Sequence, residues 1–312
     1  MAVFKIHHIT KYIYDSPVSE SVNEIRVYPL QGNDQEILQQ DLIITGDPEI
    51  QLYTDYWGNK TGFFNVLESH HELKIESRVI VRTAQEPIGD SGDGMLEDLV
   101  PLVNGSMLLK ELNSPDSIRN QPLIDAICKQ LLTDGKTVSQ LVQDCSSYVF
   151  NQFKYTKGIT TIETTVDEIL EHQGGVCQDF AHLLLQMLRT LAIPCRYVSG
   201  YICPNKNGMR GEGATHAWVE AYIPGASWRG IDPTNNIWVS SNHVKLAVGR
   251  SFKDCSPVKG TFKGSSRQQL YVFVSVGYED GQVFEETTQV QLKKIDPVLE
   301  EKRLAAIEAA QQ

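Results

Sequence analysis

The sequence predicts an α+β protein that begins with an all-β domain. Three observations support this prediction: residues 3–81 alternate apolar and polar side chains, helical spacing dominates residues 118–191, and strand patterns return from residue 196. Alternation with period two is typical of half-buried strands, and apolar residues three or four apart are typical of amphipathic helices. Because the helices come first and the strands afterwards, we expect the second domain to be α+β.

Turn signals interrupt the N-terminal alternation at regular intervals. They are Asp15-Ser16-Pro17, residues 31–34, residues 46–48 and Trp57-Gly58-Asn59. Strands separated in this way are typical of an antiparallel sandwich or barrel. We therefore predict a β-sandwich-like domain over residues 1–88, ending within a Gly-, Pro- and Asp-rich linker at residues 85–94.

The second domain is predicted to cover residues 89–295. Helical spacing and start signals predict helices over 118–132, 138–153 and 165–172, and a long helix that begins at Cys177. Strands are predicted over 196–203, 215–223, 227–231, 268–276 and 283–293, and we expect the last two to complete the sheet of this domain. The Ala- and Glu-rich residues 296–312 are predicted to form a short helical tail.

Charge and hydropathy exclude several kinds of partner. Lys and Arg number 28 and Asp and Glu number 39, which gives a formal net charge of −11. Such a surface repels phosphate, so we expect neither nucleic acid nor an anionic membrane as a partner. The longest apolar stretch, residues 183–193, is much shorter than the roughly 20 residues that span a bilayer. The N-terminus also lacks the apolar core of a signal peptide, so the expected location is cytoplasmic.

The six cysteines are too few for a disulfide scaffold, and none forms a C-x-x-C pair. A zinc site built from Cys177, Cys195, Cys203 and His216 would lack the usual close pairs of ligands. The sequence also has no D-x-[DN]-x-[DN]-G calcium loop. We therefore expect no metal and no cofactor, and most of the cysteines to be buried thiols.

Cys177 differs from the other cysteines because it begins a strongly periodic helix. Phe180, Leu184 and Leu188 mark the apolar face of that helix, and Cys177 projects on the same side. A thiol at a helix N-terminus lies near unpaired N–H groups, which favour the thiolate and can also hold an oxyanion. The preceding Gly174 and Gly175 leave room for a reacting carbonyl group.

A predicted β-hairpin supplies two further candidates. The strand that contains His216 runs to Ile223, and the strand that begins at Ser227 ends near Asp232. If Ile223 pairs with Ser227, His216 and Asp232 become diagonal neighbours on one face of the hairpin. A shift of one residue would place them on opposite faces. In the first register, the hairpin provides a base and a carboxylate that orients it, the arrangement that activates a nucleophile.

These residues lie in GGVCQDFAHLLLQMLRTLAIPCRYVSGY and THAWVEAYIPGASWRGIDPTNN, which resemble the transglutaminase-like superfamily. The similarity covers roughly residues 143–236 and is greatest to a bacterial branch described as candidate cysteine proteases. Residues 6–29 and 55–59 resemble that branch's N-terminal β domain, and residues 248–252 and 259–264 resemble its C-terminal segment. Where relatives usually have Gly-Arg-Asp-Tyr, this chain has Gly249-Arg250-Ser251-Phe252.

The resemblance implies a papain-like (transglutaminase core) fold and a catalytic triad. Cys177 would be the nucleophile, His216 the general base and acid, and Asp232 the orienting carboxylate. The expected activity is hydrolysis of an amide in a protein or peptide substrate through a thioester acyl-enzyme. Amine transfer, as in a transglutaminase, uses the same triad and remains an alternative, as does a catalytically silent binding module. An arylamine N-acetyltransferase is disfavoured because Gln173 occupies the place of its usual Arg.

Three further side chains are candidates for the substrate cleft. They are the aromatic Tyr201 and Trp218, and Gln178 beside the nucleophile. His182 is expected on a polar face of the Cys177 helix with Gln186 and Arg189, in contact with solvent or behind the site. The sequence does not indicate an oligomeric state.

Overall fold

The structure is a computed structural model that describes residues 2–32, 34–84, 93–203, 209–210, 215–278 and 283–290. Its first part is a large antiparallel sheet that curls around one long strand. The strands are β1 (Ala2–Ile25), β2 (Gln35–Ile44), β3 (Gln51–Thr54), β4 (Lys60–Val66) and β5 (His70–Thr83). The predicted β domain is thus present. Its predicted boundary at residue 88 and the predicted tail at 296–312 lie outside the described residues.

Strand β1 organises this domain because it is 24 residues long and belongs to both halves of the sheet. Its first half pairs with β5, and its second half, from Ser21 to Ile25, pairs with β4. Between the halves, the β1–β5 register shifts between Ile13 and Val18. The predicted turn at Asp15-Ser16-Pro17 is therefore a bend within one strand. Pro17 has no N–H to donate, so it is tolerated at such an irregularity.

The C-terminal strands complete this same sheet. They are β13 (Val258–Lys263), β14 (Gln268–Tyr278) and β15 (Val283–Val290). β13 and β14 both pair with β1, and β15 pairs with β14. The prediction that the last strands extend the second domain's sheet was wrong. Period two identifies a strand and its faces but not its partner, and the long β1 has two edges available for pairing.

The second domain contains the remaining elements. Its helices are α1 (Leu96–Asn104), α2 (Met107–Asn113), α3 (Gln121–Leu131), α4 (Val138–Gln152), α5 (Val166–His172), α6 (Cys177–Thr190) and α7 (Phe252–Cys255). Its five-stranded sheet has the order β11-β10-β9-β8-β12, formed by β8 (Cys195–Ile202), β9 (Thr215–Ile223), β10 (Ser227–Asp232), β11 (Ile237–Trp238) and β12 (His243–Gly249). Two short strands, β6 (Lys154–Tyr155) and β7 (Gly174–Gly175), form a parallel pair. The α+β prediction is confirmed.

Helix α6 is buried on almost every side. It packs on β9 and β8 and is surrounded by α3, α4 and α5. Its predicted polar face is therefore not solvated: Gln186 is buried and donates to the Asp116 carbonyl, and Arg189 is buried and donates to the Arg250 carbonyl. His182 packs against Tyr197 and accepts a hydrogen bond from a backbone N–H. Periodicity cannot reveal such burial, because these polar groups are satisfied by tertiary contacts.

The five-stranded sheet is covered on both faces. On β9, Ala217, Val219 and Ala221 belong to the helical core, and Trp218 lies on the other face of the strand. Trp218, from that second face, packs with Val198 and Val248 against residues of the β domain. The β domain is therefore part of the core of the molecule.

Side-chain amides of the β domain also bind the edge strand β12. Asn59 accepts from the Val248 N–H at 2.8 Å and donates to the Val248 carbonyl at 2.7 Å. Gln35 makes the same pair of hydrogen bonds with Lys245, both at 2.8 Å. Each amide satisfies backbone groups that a neighbouring strand would otherwise satisfy. These bonds attach the five-stranded sheet of the second domain to the β domain.

Within the described part of the chain, no helix combines the length and the apolar character needed to cross a bilayer.

A single methyl group at Gly200 should disrupt this interface. A Cβ atom there would lie 2.1 Å from the Val244 carbonyl oxygen and 2.5 Å from the Trp218 ring. Because both neighbours are buried, we expect Gly200→Ala to lower the free energy of unfolding by at least about 2 kcal/mol. The control is Gly105→Ala, whose Cβ would find its nearest neighbour at 3.4 Å. Equal urea-unfolding midpoints for the two variants would contradict this packing.

Candidate active site

Cys177 is the first residue of α6, where the chain leaves a tightly held segment. The β6–β7 pairing fixes this segment, and the N–H of Val176 donates to the Asp179 carboxylate at 2.8 Å. A Cβ atom on Gly174 would lie 2.6 Å from the Lys154 carbonyl oxygen, and one on Gly175 would lie 2.5 Å from Asp179. Both glycines are therefore required by packing, and their small size brings β6 and the Asp179 carboxylate against the start of the helix.

Asp179 is buried beneath this turn. Besides the Val176 N–H, its carboxylate accepts the Thr160 hydroxyl at 2.7 Å. Burial raises its pKa despite these two hydrogen bonds and the charge of His172. Asp179 therefore connects the loop before α5 to the residue that precedes Cys177.

The predicted hairpin register is confirmed. Ser227 pairs with Ile223, and the pairing continues to Ile231 opposite Val219. His216 and Asp232 thus share a face, and Nε2 of His216 lies 2.9 Å from Oδ2 of Asp232. Both side chains are fully buried. The register that sequence analysis required for a triad is the register that the fold adopts.

The other ring nitrogen of His216, Nδ1, is buried and has no hydrogen-bond partner among the described residues. The Cys177 side chain is close enough to His216 to raise the pKa of this imidazole. Cys177 and Asp232 are therefore both neighbours of His216.

Charge pairing dominates the ionisation of His216 and Asp232. Burial alone would lower the pKa of His216, but the charge and hydrogen bond of Asp232, followed by Cys177, raise it. Burial alone would raise the pKa of Asp232, but His216 and then His243 hold it well below its usual range. At neutral pH, a carboxylate beside an imidazolium is the state that these interactions favour.

The Asp232 carboxylate is held by further donors. Oδ1 accepts the backbone N–H of Thr234 at 2.9 Å and that of Asn235 at 3.3 Å. Oδ2 accepts the Asn235 side-chain amide at 2.7 Å in addition to His216. A fully buried carboxylate needs such partners because its desolvation is costly. The turn after β10 therefore fixes the orientation of Asp232 and, through it, that of His216.

A second histidine, His243, reaches the same carboxylate. Its Nε2 lies 3.5 Å from Oδ2 of Asp232, and its Nδ1 faces the Ser240 N–H at 3.3 Å. Because Nδ1 accepts that hydrogen bond, the proton of a neutral His243 is on Nε2 and points at Asp232. Potential ligand atoms of His216, Asp232 and His243 lie within 4.8 Å of one another, close enough for a metal ion. However, both imidazoles direct Nε2 at the carboxylate as donors, so a metal would have to displace these hydrogen bonds.

A cavity of about 490 Å³ opens beside Cys177 and lies between the two domains. Gln178 lines it, as predicted for a cleft residue. The other two cleft candidates do not: Trp218 is fully buried in the interface, and Tyr201 is fully buried with its hydroxyl 2.8 Å from Nδ1 of His8. Trp218 shares a strand face with His216, and Tyr201 shares one with Ser199, which was compatible with a cleft. The β domain, however, covers the Trp218 and Tyr201 side chains.

Sequence analysis missed the wall of the cavity that the β domain provides. The described lining residues of β1, β13 and β14 are His8, Thr10, Tyr12, Tyr14, Ser21, Asn23, Val258, Lys259, Gly260, Thr261, Phe262, Gln268, Leu270 and Val272. His8 in this wall is buried, and burial, followed by the charge of His7, lowers its pKa to about 4. Alternation along β1 could have indicated one buried face, but not that this face covers Cys177.

Both parts of the chain match the sequences of known protein families. Residues 4–82 match the sequence profile described as "Bacterial transglutaminase-like N-terminal region", and residues 125–233 match "Transglutaminase-like superfamily". The uncharacterized protein Rv2569c of Mycobacterium tuberculosis is 31% identical over 287 residues, which cover 86% of this chain and 90% of that protein. The uncharacterized protein ML0607 of Mycobacterium leprae is 29% identical, over 87% of this chain and 97% of that protein.

A solved structure shares the fold. It is described as "a Putative Cysteine Protease from Cytophaga hutchinsonii" and superposes with a TM-score of 0.68 at 22% identity, covering 94% of this chain and 92% of that one. The fold and the comparisons together define a papain-like α+β protein with an N-terminal β domain. The chain belongs to the transglutaminase-like superfamily, in the group that carries the bacterial transglutaminase-like N-terminal region.

Alkylation should distinguish Cys177 from the other cysteines. Cys177 is half-buried, whereas the other five are buried free thiols. Burial raises the pKa of Cys128 to about 12 and that of Cys195 to about 11. We expect iodoacetamide at about pH 6 to label one thiol per folded chain, at Cys177, because the buried thiols are inaccessible and protonated. Peptide mass spectrometry locates the label, and Cys177→Ser is the control. Equal, slow labelling of all six would contradict a reactive site.

The buried Asp232–His216 pair should make the free energy of unfolding decrease both in acid and at high pH. Folding lowers the pKa of Asp232 below its ordinary 3.8, so its contribution is complete above that value and is lost in acid. Folding raises the pKa of His216 above its ordinary 6.5, so its contribution is complete below that value and is lost as pH rises.

The difference in unfolding free energy between wild type and Asp232→Asn should therefore be largest at about pH 4 to 6.5 and smaller on either side. Urea unfolding across a pH series measures it. Exposed Asp134→Asn is the control and should show no such maximum. A difference that does not vary with pH would contradict the ion pair.

Proposed function

We propose that this protein is a thiol-dependent amide hydrolase, a peptidase or amidase, that acts through Cys177, His216 and Asp232. The observation that carries the proposal is the position of the His216 imidazole. Nε2 is fixed on the buried Asp232 at 2.9 Å, and Nδ1 is left without a partner beside the half-buried Cys177. An imidazole that Asp232 orients through Nε2 is suited to hold the proton of the thiol on Nδ1 as an imidazolium.

The proposed reaction has two stages. In the first, His216 is the imidazolium, with the proton from the Cys177 thiol already on Nδ1, and Sγ attacks the substrate carbonyl carbon. The unpaired N–H groups of the first turn of α6 are the nearest backbone donors for the resulting oxyanion. Collapse of the tetrahedral intermediate breaks the C–N bond, and His216 returns the proton to the departing amine. A thioester on Cys177 remains.

In the second stage, water replaces the amine. His216 removes a proton from water, hydroxide attacks the thioester carbon, and the C–S bond breaks. The products are a carboxylic acid and the free thiol. Asp232 keeps its charge throughout and stabilises the imidazolium that forms in each stage. Neither stage uses a metal or a cofactor.

Amine transfer is a second candidate, and the enclosure of the site favours it. Cys177 is half-buried and its cavity is walled by apolar side chains of the β domain, including Leu270 and Val272. A site that restricts water gives an amine the opportunity to resolve the thioester. Incubation with peptide libraries, and separately with a Gln-containing peptide plus a tagged amine, distinguishes the two reactions. Incorporation of the tag without cleavage would favour transfer over hydrolysis.

Substitutions in the triad should abolish turnover without unfolding the protein. We expect Cys177→Ala and His216→Ala each to reduce kcat by about 1000-fold or more, because the covalent route needs both groups. Asp232→Asn should reduce it strongly as well, since the orientation of His216 depends on that carboxylate. The measurements are cleavage of the selected peptide and circular dichroism.

The control is His71→Ala, which alters an exposed histidine of the β domain. If neither cleavage nor amine incorporation is found for the wild type while Cys177 labels slowly, the catalytically silent binding module is the better description.

A further inference from the structure

Strand β13 lines the active-site cavity in an unusual way. All seven residues from Ser256 to Phe262 line it consecutively, whereas β1 contributes alternate residues such as His8, Thr10 and Tyr12. Side chains of a strand alternate between its faces, so a cavity on one face meets every second residue. A consecutive run instead indicates that the cavity extends along the edge of β13 and meets its backbone.

The register shows which backbone groups point to that edge. The Arg26 N–H donates to the Pro257 carbonyl at 2.8 Å, and Glu24 is opposite Lys259 in the same register. In an antiparallel pair, hydrogen-bonded positions alternate with positions whose N–H and C=O point away from the partner. Val258 and Gly260 occupy the second kind of position. Their backbone groups therefore point away from β1.

No described strand occupies that edge. Among the described residues, β13 pairs with β1 alone. The Val258 carbonyl accepts the Ser256 hydroxyl at 3.0 Å, while the Val258 N–H and both backbone groups of Gly260 lack such a partner in the described part of the chain. Gly260 is exposed, and a Cβ on it would lie 2.4 Å from Asn23 Oδ1, so no side chain can cover its backbone without displacing Asn23.

The residues that line the cavity indicate which kind of ligand fits this edge. The described lining residues include no carboxylate, and Lys259 is the single Lys or Arg among them. Tyr14 and Phe262, whose rings are in edge contact at 5.1 Å, contribute apolar surface. A strand added to β13 would satisfy its exposed backbone groups and place alternate, uncharged side chains against this surface. Since Cys177 lines the same cavity, the added strand would pass the nucleophile.

We propose that the free edge of β13 is the substrate-binding strand of this protein, and that the substrate is an extended polypeptide bound by β-strand addition. This inference rests on the proposed function for the chemistry that follows binding. It narrows the substrate from any amide to an uncharged stretch of unfolded or loop polypeptide. Recognition through the backbone also implies broad tolerance of side chains along the stretch.

Binding can be tested apart from chemistry in the Cys177→Ala protein. The probe is a fluorescein-labelled, acetylated octapeptide with alternating Thr and Val around one central Gln, measured by fluorescence anisotropy. Methylating its amide nitrogens one at a time should weaken binding at every second position, by about fivefold for each lost hydrogen bond. Equal effects at consecutive positions would overturn strand addition.

A substitution on the protein side tests the same edge. Val258→Pro removes an N–H that points away from β1, a change that edge strands tolerate, and should weaken peptide binding by about fivefold. The matched control, Lys259→Pro, removes an N–H that points toward β1 and should lower the thermal unfolding midpoint. Should Val258→Pro also unfold, the methylation series on the unaltered strand still decides the question.

Further outcomes distinguish a failure of strand addition from a failure of the proposed hydrolase activity. Turnover of a small amide without any binding of the octapeptide would overturn strand addition and leave the hydrolase intact. Alternating sensitivity to methylation without turnover of any amide would support strand addition and contradict the hydrolase. A dimer in size-exclusion chromatography that Val258→Pro dissociates would assign the edge to a second copy of the chain and overturn the proposal.

Discussion

The fully buried carboxylate of Asp232 is the group around which the structure is arranged. A charge removed from water is costly unless donors replace the water, and here two imidazoles, two backbone N–H groups and the Asn235 amide do so. These donors come from β9, from the turn after β10 and from the start of β12. The carboxylate can be both buried and ionised only when all three segments supply their donors, so the geometry of the site and the register of the sheet depend on each other.

The same requirement explains why the β domain is integral to the fold. Nε2 of His243 reaches Asp232 from β12, an edge strand of the five-stranded sheet, and β12 is itself bound by the side-chain amides of Gln35 and Asn59. Beyond β12, Trp218 packs against Trp57 of the β domain on the face that carries His216. Without the β domain, this face would expose a large apolar surface, and the buried His216–Asp232 pair would be exposed to water.

Local patterns in the sequence predicted the helix start at Cys177 and the shared strand face of His216 and Asp232, but not the surroundings of these residues. Helix periodicity placed Cys177 at a helix start, and the pairing of Ile223 with Ser227 placed His216 and Asp232 on one face, because both patterns depend on residues close in the sequence: His216 and Asp232 are 16 residues apart. The partner of β14 lies about 260 residues away along β1, and alternation along either strand carries no information about that pairing. Tyr201 and Trp218 were assigned to the cleft for the same reason: the sequence shows their face, not what covers it.

The enclosure also bears on the chemistry. Electrostatic interactions between His216, Asp232 and a developing oxyanion strengthen as water is excluded, because the local dielectric constant falls. Exclusion of water from a cavity of about 490 Å³ also slows hydrolysis of a thioester on Cys177 unless water enters with or after the substrate. In the proposed reaction, the β1–β13 wall therefore influences the two stages in opposite directions: it promotes formation of the acyl-enzyme and restricts the water that resolves it. Whether water or an amine would complete that reaction depends on how the wall admits the second reactant once the first product has left.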